Sequence, residues 1–506
     1  MKKLFYSMAG VIVLLVVILL IRTLTFTSTQ EIIEKKVTAD IDAKQLAKHL
    51  SEAIQFRTVS AELNPQKIQL KPELLELRQE SSKDDQPAHV QFEGFIQWLA
   101  NTYPEVHART QLQRLGKYSL LFKWQGAKSE LEPILLSAHY DVVPVITGSE
   151  SLWTHPPYSG VVDKSYIWGR GALDDKSAVI ALMEATSLLL AEGFQPDRSV
   201  YLSLTHDEEI GGIKGTKAIV DNLSRDDIHL AWTLDEGSFL FDGFFPGVAP
   251  PVANINLAEK GTMTIELVAH GQGGHSSMPP KETAVGILAQ ALVKLQAAPI
   301  PGTLDGLSGE MFDAIARHMP FSQRLLFANR WLFGDLIDAS LASKAFSNAM
   351  LRTTTAPTML SASIKENVLA IEAIGTINFR LHPRDSIKGV MNYVKSVLDD
   401  ERIEVKLIGG SNASRVSSAK ALGYKAIVHA AQSTYGNIVV APGITIAATD
   451  SRRYEAIAEN SYRFNPMSIT PQDIPRFHGT NERMSIENMV NATRFYRLLI
   501  RDGSHE

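Results

Sequence analysis

The sequence predicts an α/β protein with a central, mostly parallel sheet flanked by helices, a smaller inserted α+β domain and an apolar N-terminal helix. Three observations predict this. Strand-like and helix-like segments alternate from about Val90 to Leu234, the pattern of parallel strands joined by helices. At Glu259 the strands begin to alternate polar and apolar residues, as a sheet with one solvated face does, and the pattern changes back near Ser411. An uncharged apolar run from Leu4 to Ile21 lies between Lys2, Lys3 and Arg22. The 506 residues exceed what one core usually organises. The expected divisions are an anchor and stalk at 1–40, a main domain at 41–258 and 411–506, and an insert at 259–410.

The 18 residues of the apolar run reach about 27 Å as a helix, close to the thickness of a bilayer's hydrocarbon. A cleaved signal peptide competes with this reading, and would give a secreted protein. The run is long for one, and no clear small-x-small site follows it. An anchor is therefore expected, with Lys2 and Lys3 held in the cytoplasm and the rest of the chain outside. Thr23 to Asp40 reads as a polar stalk, Ile41 to Gln55 as a helix, and Ala61 to Ala88 as an exposed irregular excursion. Val90 to Tyr103 reads as a helix, followed by strands at Tyr118 to Trp124 and Pro133 to Ala138. Ile134-Leu135-Leu136 is a continuous apolar run suited to a sheet buried on both faces. A helix at Ser177 to Glu192 closes at Gly193, and strands follow at Ser199 to Thr205 and His229 to Leu234.

In the insert, strands are expected at Thr262 to Val268, Glu372 to Leu381 and Arg402 to Leu407, with helices at Thr283 to Gln296 and Ile387 to Leu398. Its long middle, Gly302 to Ala356, holds Leu325, Leu326, Phe327, Trp331, Leu332 and Phe333. These suit helices packed within the insert, the preferred reading, or a wall for an acyl chain.

Composition narrows the function. A net charge of −5 gives no reason to expect nucleic acid as a partner. With no cysteine, any metal site must use His, Asp and Glu. Four segments offer them, each just after a predicted strand or turn: His139-Tyr140-Asp141, Asp174-Asp175, His206-Asp207-Glu208-Glu209 and Asp235-Glu236. Open parallel sheets bind ligands outside the carboxyl ends of their strands. Four acidic clusters on that edge would repel one another, and one or two divalent cations would remove the penalty. Such donors suit zinc, cobalt or manganese, and two ions sharing a carboxylate would clamp a displacement reaction. Glu208 and Glu209 can divide two tasks, one binding metal and one taking a proton from water. Asp141 could orient the imidazole of His139. Singly, each pattern has a bland reading, such as an N-cap for Asp174-Asp175. Their order and their place at strand ends reverse that balance.

Five ordered motifs resemble the zinc aminoacylase/carboxypeptidase family: His139-Tyr140-Asp141-Val142-Val143-Pro144, Gly169 to Lys176, Asp207 to Gly212, Leu234-Asp235-Glu236-Gly237 and Gly274-His275-Ser276-Ser277. The resemblance runs from about Phe92 to the C-terminus. It is especially close to the carboxypeptidase S and N-acyl amino acid hydrolase branch at Ala448 to Arg452, Tyr462-Arg463-Phe464 and His478 to Arg483. It implies a dinuclear zinc hydrolase that cleaves an amide bond next to a free carboxylate, in a peptide or an N-acyl amino acid. His139 and Asp235 would bind one zinc ion, Glu209 and His478 the other, and Asp174 would bridge them with a cis peptide to Asp175. Glu208 would be general base and then general acid, and Asp141 would orient His139. His275 would stabilise the oxyanion, in this family often from the partner subunit of a dimer, so the insert would serve as lid and dimerisation domain. Asn367 and Arg380 would hold the substrate's carboxylate or carbonyl groups.

Ala370, Ala362 and Ser363 depart from the family's usual proline and glycines, which bears on the substrate wall more than on the metals. A catalytically inactive binding or receptor protein is the rival reading, and loss of Glu208 or a ligand would have supported it. A mononuclear zinc protein is a second rival, which the retained Asp174 opposes.

Overall fold

The computed structural model describes residues 2–30, 33–35, 41–60 and 88–505. The excursion expected at 61–88 lies outside the described residues except for Ala88, as do 31–32 and 36–40 of the expected stalk. The chain forms two compact units. The main unit comprises Thr29–Leu257, Ser417–Ala441 and Thr449–Glu506, and the inserted unit Met1–Ser28, Ala258–Val416 and Pro442–Ala448. Two features differ from the expected divisions. The N-terminal helix groups with the inserted unit, and so does a short piece of the returning chain, where Lys260 N–H donates to the Thr445 carbonyl at 2.9 Å.

The main unit is built on a mixed sheet. Its strand order is Gln111–Leu115, Ser119–Trp124, Val200–Thr205, Ile134–His139, Trp232–Asp235, Ser461–Arg463, Val252–Glu259, Leu240–Phe241 and Ser468–Ile469. The central four, from Val200–Thr205 to Ser461–Arg463, run parallel. Their apolar residues are buried because helices cover both faces of such a sheet. The expectation of a mostly parallel sheet is corrected at the edges. Gln111–Leu115, Ser119–Trp124 and Val200–Thr205 pair antiparallel, the first two across a tight turn at Gly116 and Lys117, both at positive φ. The helix Lys176–Ala191 is buried along most of its length and packs beside the C-terminal helix Ile486–Gly503.

The inserted unit holds a four-stranded antiparallel sheet in the order Thr354–Ser361, Glu372–Leu381, Gly261–His270 and Ile403–Ser411. Its two central strands alternate buried and open residues, as a half-covered sheet requires. Helices Ala284–Ala297 and Ile387–Leu398 cover one face, around Ile265, Leu267, Leu288, Ile377, Phe379 and Val394. Burying each such side chain is worth about 1.5–3 kcal/mol. The Thr283 hydroxyl caps the first helix by accepting from Gly286 N–H at 3.2 Å. The long middle segment is helical, at Gly306–Ala316, Phe321–Ala328, Arg330–Ala342 and Ala345–Leu351. Leu325, Leu326, Phe327 and Phe333 are half-buried there, whereas Trp331 and Leu332 are exposed.

Candidate active site

The site gathers where the parallel strands end. His139 is the last residue of its strand and Asp235 of the next, while Glu208 and Glu209 follow Val200–Thr205 in a short turn of helix. His139 Nε2 lies 2.9 Å from Asp174 Oδ1 and 3.5 Å from Glu236 Oε1. His478 Nε2 lies 3.1 Å from Asp174 Oδ2 and 3.4 Å from Glu209 Oε2. Each trio, His139-Asp174-Glu236 and Asp174-Glu209-His478, offers ligand atoms within 4.8 Å of one another. Asp174 belongs to both, one oxygen to each.

One expected position differs. The carboxylate beside His139 belongs to Glu236, and Asp235 is not in the group. Asp235 ends its strand, and Glu236, the first residue beyond it, carries the carboxylate that reaches His139. Asp235 is buried, with Oδ2 lacking a hydrogen bond.

Asp141 does more than face an imidazole. His139 Nδ1 is 3.0 Å from its backbone carbonyl and 3.4 Å from its Oδ1. Its carboxylate accepts from the backbone N–H groups of Glu208 at 3.2 Å and Glu209 at 3.1 Å, and from the Ser60 hydroxyl at 2.7 Å. It therefore fixes the turn that presents both glutamates. Glu208 Oε2 stands 4.0 Å from His139 Nε2, outside both trios. The same turn needs Gly212, at φ 60°, because a Cβ there would collide with Asp450 Oδ1.

Asp174–Asp175 is a cis peptide just before the helix Lys176–Ala191. Asp175 makes no side-chain cap bond, so the bland capping reading does not apply to it. Its Oδ1 accepts from Asn465 Nδ2 at 2.8 Å.

Arg170 and Glu482, which sequence reasoning quoted without giving a role, tie the loops together. Arg170 Nη1 donates to Glu482 Oε2 at 2.6 Å, and Nη2 donates to the carbonyls of His478 at 3.2 Å and Gly479 at 3.0 Å. Glu482 Oε1 accepts from the N–H groups of Leu173 at 2.8 Å and Asp174 at 3.2 Å. This buried pair holds the Asp174 loop against the His478 loop, whose histidine sits at φ 57°.

The electrostatics are those of crowded buried carboxylates. Burial, then Asp174, raises the pKa of Glu236 to about 7. Burial and Asp174 likewise raise Glu209, whose Oε1 has no hydrogen-bond partner. Burial pushes Glu208 well above the ordinary range, with Glu236 and Asp450 adding to it. Burial also opposes charge on His139, but Asp141, Asp174 and Glu236 outweigh it and raise its pKa. Hydrogen bonds to Asp174 and Glu209 raise His478 to about 10. Buried carboxylates with unpaired oxygens, converging with two imidazoles and no thiolate, are a donor set that fits divalent cations.

The inserted unit carries the other expected residues. Gly274–His275 pairs with Val368–Leu369, and Ser276 N–H donates to the Asn367 carbonyl at 3.2 Å, so His275 and Asn367 share one small ladder. His275 is exposed, with Nδ1 2.8 Å from the Ser277 hydroxyl, and Asn367 Oδ1 is buried without a partner. Arg380 lies on the sheet face that the helices leave open.

Fold and donor set together describe an α/β protein with two groups of residues that could hold metal. The chain belongs to the Peptidase family M20/M25/M40, whose model matches residues 135–502. It is 37% identical to the Probable carboxypeptidase S-like 2 of Dictyostelium discoideum, over 96% of this chain and 92% of that one. It is 36% identical to the N-fatty-acyl-amino acid synthase/hydrolase PM20D1 of Xenopus tropicalis, over 97% and 93%. The fold matches an M20 family metallo-carboxypeptidase of Sulfolobus solfataricus with a TM-score of 0.59 at 17% identity, covering 90% of this chain and 98% of that one.

Proposed function

We propose that the protein is a dinuclear zinc hydrolase that cleaves an amide bond next to a free carboxylate. The observation that carries this is Asp174, which faces His139 with one oxygen and His478 with the other. His139 and Glu236 would hold one ion, Glu209 and His478 the second, and Asp174 both. Glu236 takes the place given to Asp235 on sequence grounds. Zinc is the family's usual metal, and cobalt or manganese suit the same donors. When bound, the pair supplies Lewis acidity at the scissile carbonyl and lowers the pKa of an attacking water.

The chain's own groups do the rest. Glu208 stands outside both trios and takes the proton from water at its carboxylate, then gives it to the leaving nitrogen. A carboxyl whose pKa is raised by burial suits that return step. Asp141 holds Glu208 in place through its backbone. His275 donates to the developing oxyanion, Asn367 to a carbonyl, and Arg380 pairs with the substrate's carboxylate. The substrate is a small peptide, as the name of the Dictyostelium relative suggests, or an N-acyl amino acid with a fatty acyl group, as that of the Xenopus relative suggests. The homodimer implied by the family belongs to this reading.

The N-terminal helix Lys2–Thr25 anchors the protein, with the catalytic unit on the non-cytoplasmic side. Its span Lys3–Thr25 has 23 residues, and the 18-residue apolar window within it has a mean hydropathy of 3.0 and is not buried. An inactive binding protein is not favoured, because Glu208 and every donor are present.

The test is hydrolysis of a panel of dipeptides and N-acyl amino acids by full-length wild type and Glu208→Gln in detergent. Wild type is expected to cleave one class, and Glu208→Gln to lose about 10²–10⁴-fold. A variant as fast as wild type removes Glu208 from its role. A metal-loaded wild type that cleaves nothing on the panel removes the substrate assignment.

A further inference from the structure

The N-terminal helix has a built seat in the inserted unit, where its last turns meet the junction of the helices Phe321–Ala328 and Arg330–Ala342. Asn329 and Thr23 are both fully buried there. Asn329 Nδ2 lies 3.3 Å from the Leu19 carbonyl and 3.3 Å from the Thr23 hydroxyl. Arg22 Nε donates to the Ala328 carbonyl at 3.0 Å. A second hold lies further along, where Arg317 Nη1 donates to the Thr27 carbonyl at 2.9 Å and stacks 4.5 Å from the Phe26 ring centre.

These contacts set a height. Leu19 precedes Arg22 by three residues, about 4.5 Å along a helix axis. Arg22 belongs at the edge of the hydrocarbon, where a guanidinium can reach headgroups. Asn329 then lies at or just inside that edge. Immediately beyond it the chain exposes large apolar side chains: Trp331 is 58% open, Leu332 46% and Leu336 58%, and Phe321 at the start of the preceding helix is 45% open. Tryptophan favours the headgroup level, and exposed apolar patches mark contact surfaces. Asp335, exposed one turn after Trp331, keeps this face at the headgroup level and out of the hydrocarbon core.

We propose that Phe321–Ala342 is a membrane platform: it lies on the bilayer that the N-terminal helix crosses, with Trp331, Leu332 and Leu336 among the headgroups. This rests on the anchor reading above. The platform is continuous with the anchor, since the same junction that seats Leu19 and Thr23 carries Trp331 two residues on.

The experiment places the full-length protein in vesicles of phosphatidylcholine, plain or brominated on the acyl chains. Trp331 is the one tryptophan of the inserted unit, so the difference between wild type and Trp331→Phe isolates its emission. Brominated lipid is expected to remove most of that emission. Leu336→Trp in the Trp331→Phe background repeats the reading one turn on, and Ile12→Trp in the same background reports the anchor. Unquenched tryptophans at 331 and 336 beside a quenched one at 12 overturn the platform and leave the anchor standing. Three unquenched positions overturn both. Quenching at 331 and 336 without quenching at 12 supports contact with lipid and overturns the crossing. A patch covered by a second copy of the chain would leave 331 and 336 unquenched, and so counts against the proposal.

Discussion

At the residue scale, two neighbouring carboxylates stand in different surroundings. Glu236 is grouped with His139 and Asp174, and Asp235 is not. Glu236→Ala is therefore expected to lose one ion of the pair and most of the hydrolysis. Asp235→Asn is expected to keep both ions, because it changes a buried group outside the trios. Metal analysis beside rate measurement checks this, and the reverse pattern would return the role to Asp235. The candidates His139, Asp174 and Glu209 were legible in the sequence through the places where they stand, at strand ends or before a helix, whereas His478 was legible only through the family resemblance. The sequence could not separate Asp235 from Glu236, because which of two adjacent residues faces inward depends on where the strand stops.

At the level of elements, the Arg170–Glu482 pair is the clearest positioning device. Its partners are 312 residues apart, so no local pattern could reveal the pairing. Removing one partner of a buried pair leaves an uncompensated charge, and Glu482→Leu is expected to cost about 3–5 kcal/mol in a denaturant melt. It should also weaken metal binding by about 10–100-fold in a chelator competition, since the pair orients both ligand loops. The double variant Arg170→Met/Glu482→Met should regain much of the stability while metal binding stays weak. Recovery of both would show that the pair does not position the ligands. Elements differed in the same way. The apolar strands Ile134–His139 and Val200–Thr205 were legible from their composition. The exposed edge strand Gln111–Leu115 was not, because Gln, Arg and a solvated face carry no strand signal.

For the molecule as a whole, buried basic groups set a stability profile. Burial, then Arg384, lowers the pKa of Lys260 to about 7, while its Nζ donates to the Arg352 carbonyl at 2.7 Å. The unfolded chain holds that proton up to the ordinary lysine value of about 10.5, so between these limits it binds more protons than the folded chain. This group's contribution to stability therefore rises with pH from about 7 to about 10.5. Denaturant melts at pH 7 and pH 9 should show a rise in wild type that is smaller in Lys260→Met. Equal pH dependence in the two would mean that Lys260 keeps its charge in the fold. The change of strand pattern at Glu259 was legible in the sequence, and it stands beside the boundary between the two units at Leu257 and Ala258. The grouping of the N-terminal helix with the inserted unit was not legible, since it rests on Asn329 and Arg317, distant polar residues with no signature of their own.

The most direct test counts metal. Full-length protein, loaded with zinc and then freed of excess, should hold about two ions per folded chain, as a centre bridged by one aspartate requires. One ion or none per folded chain would contradict the dinuclear site.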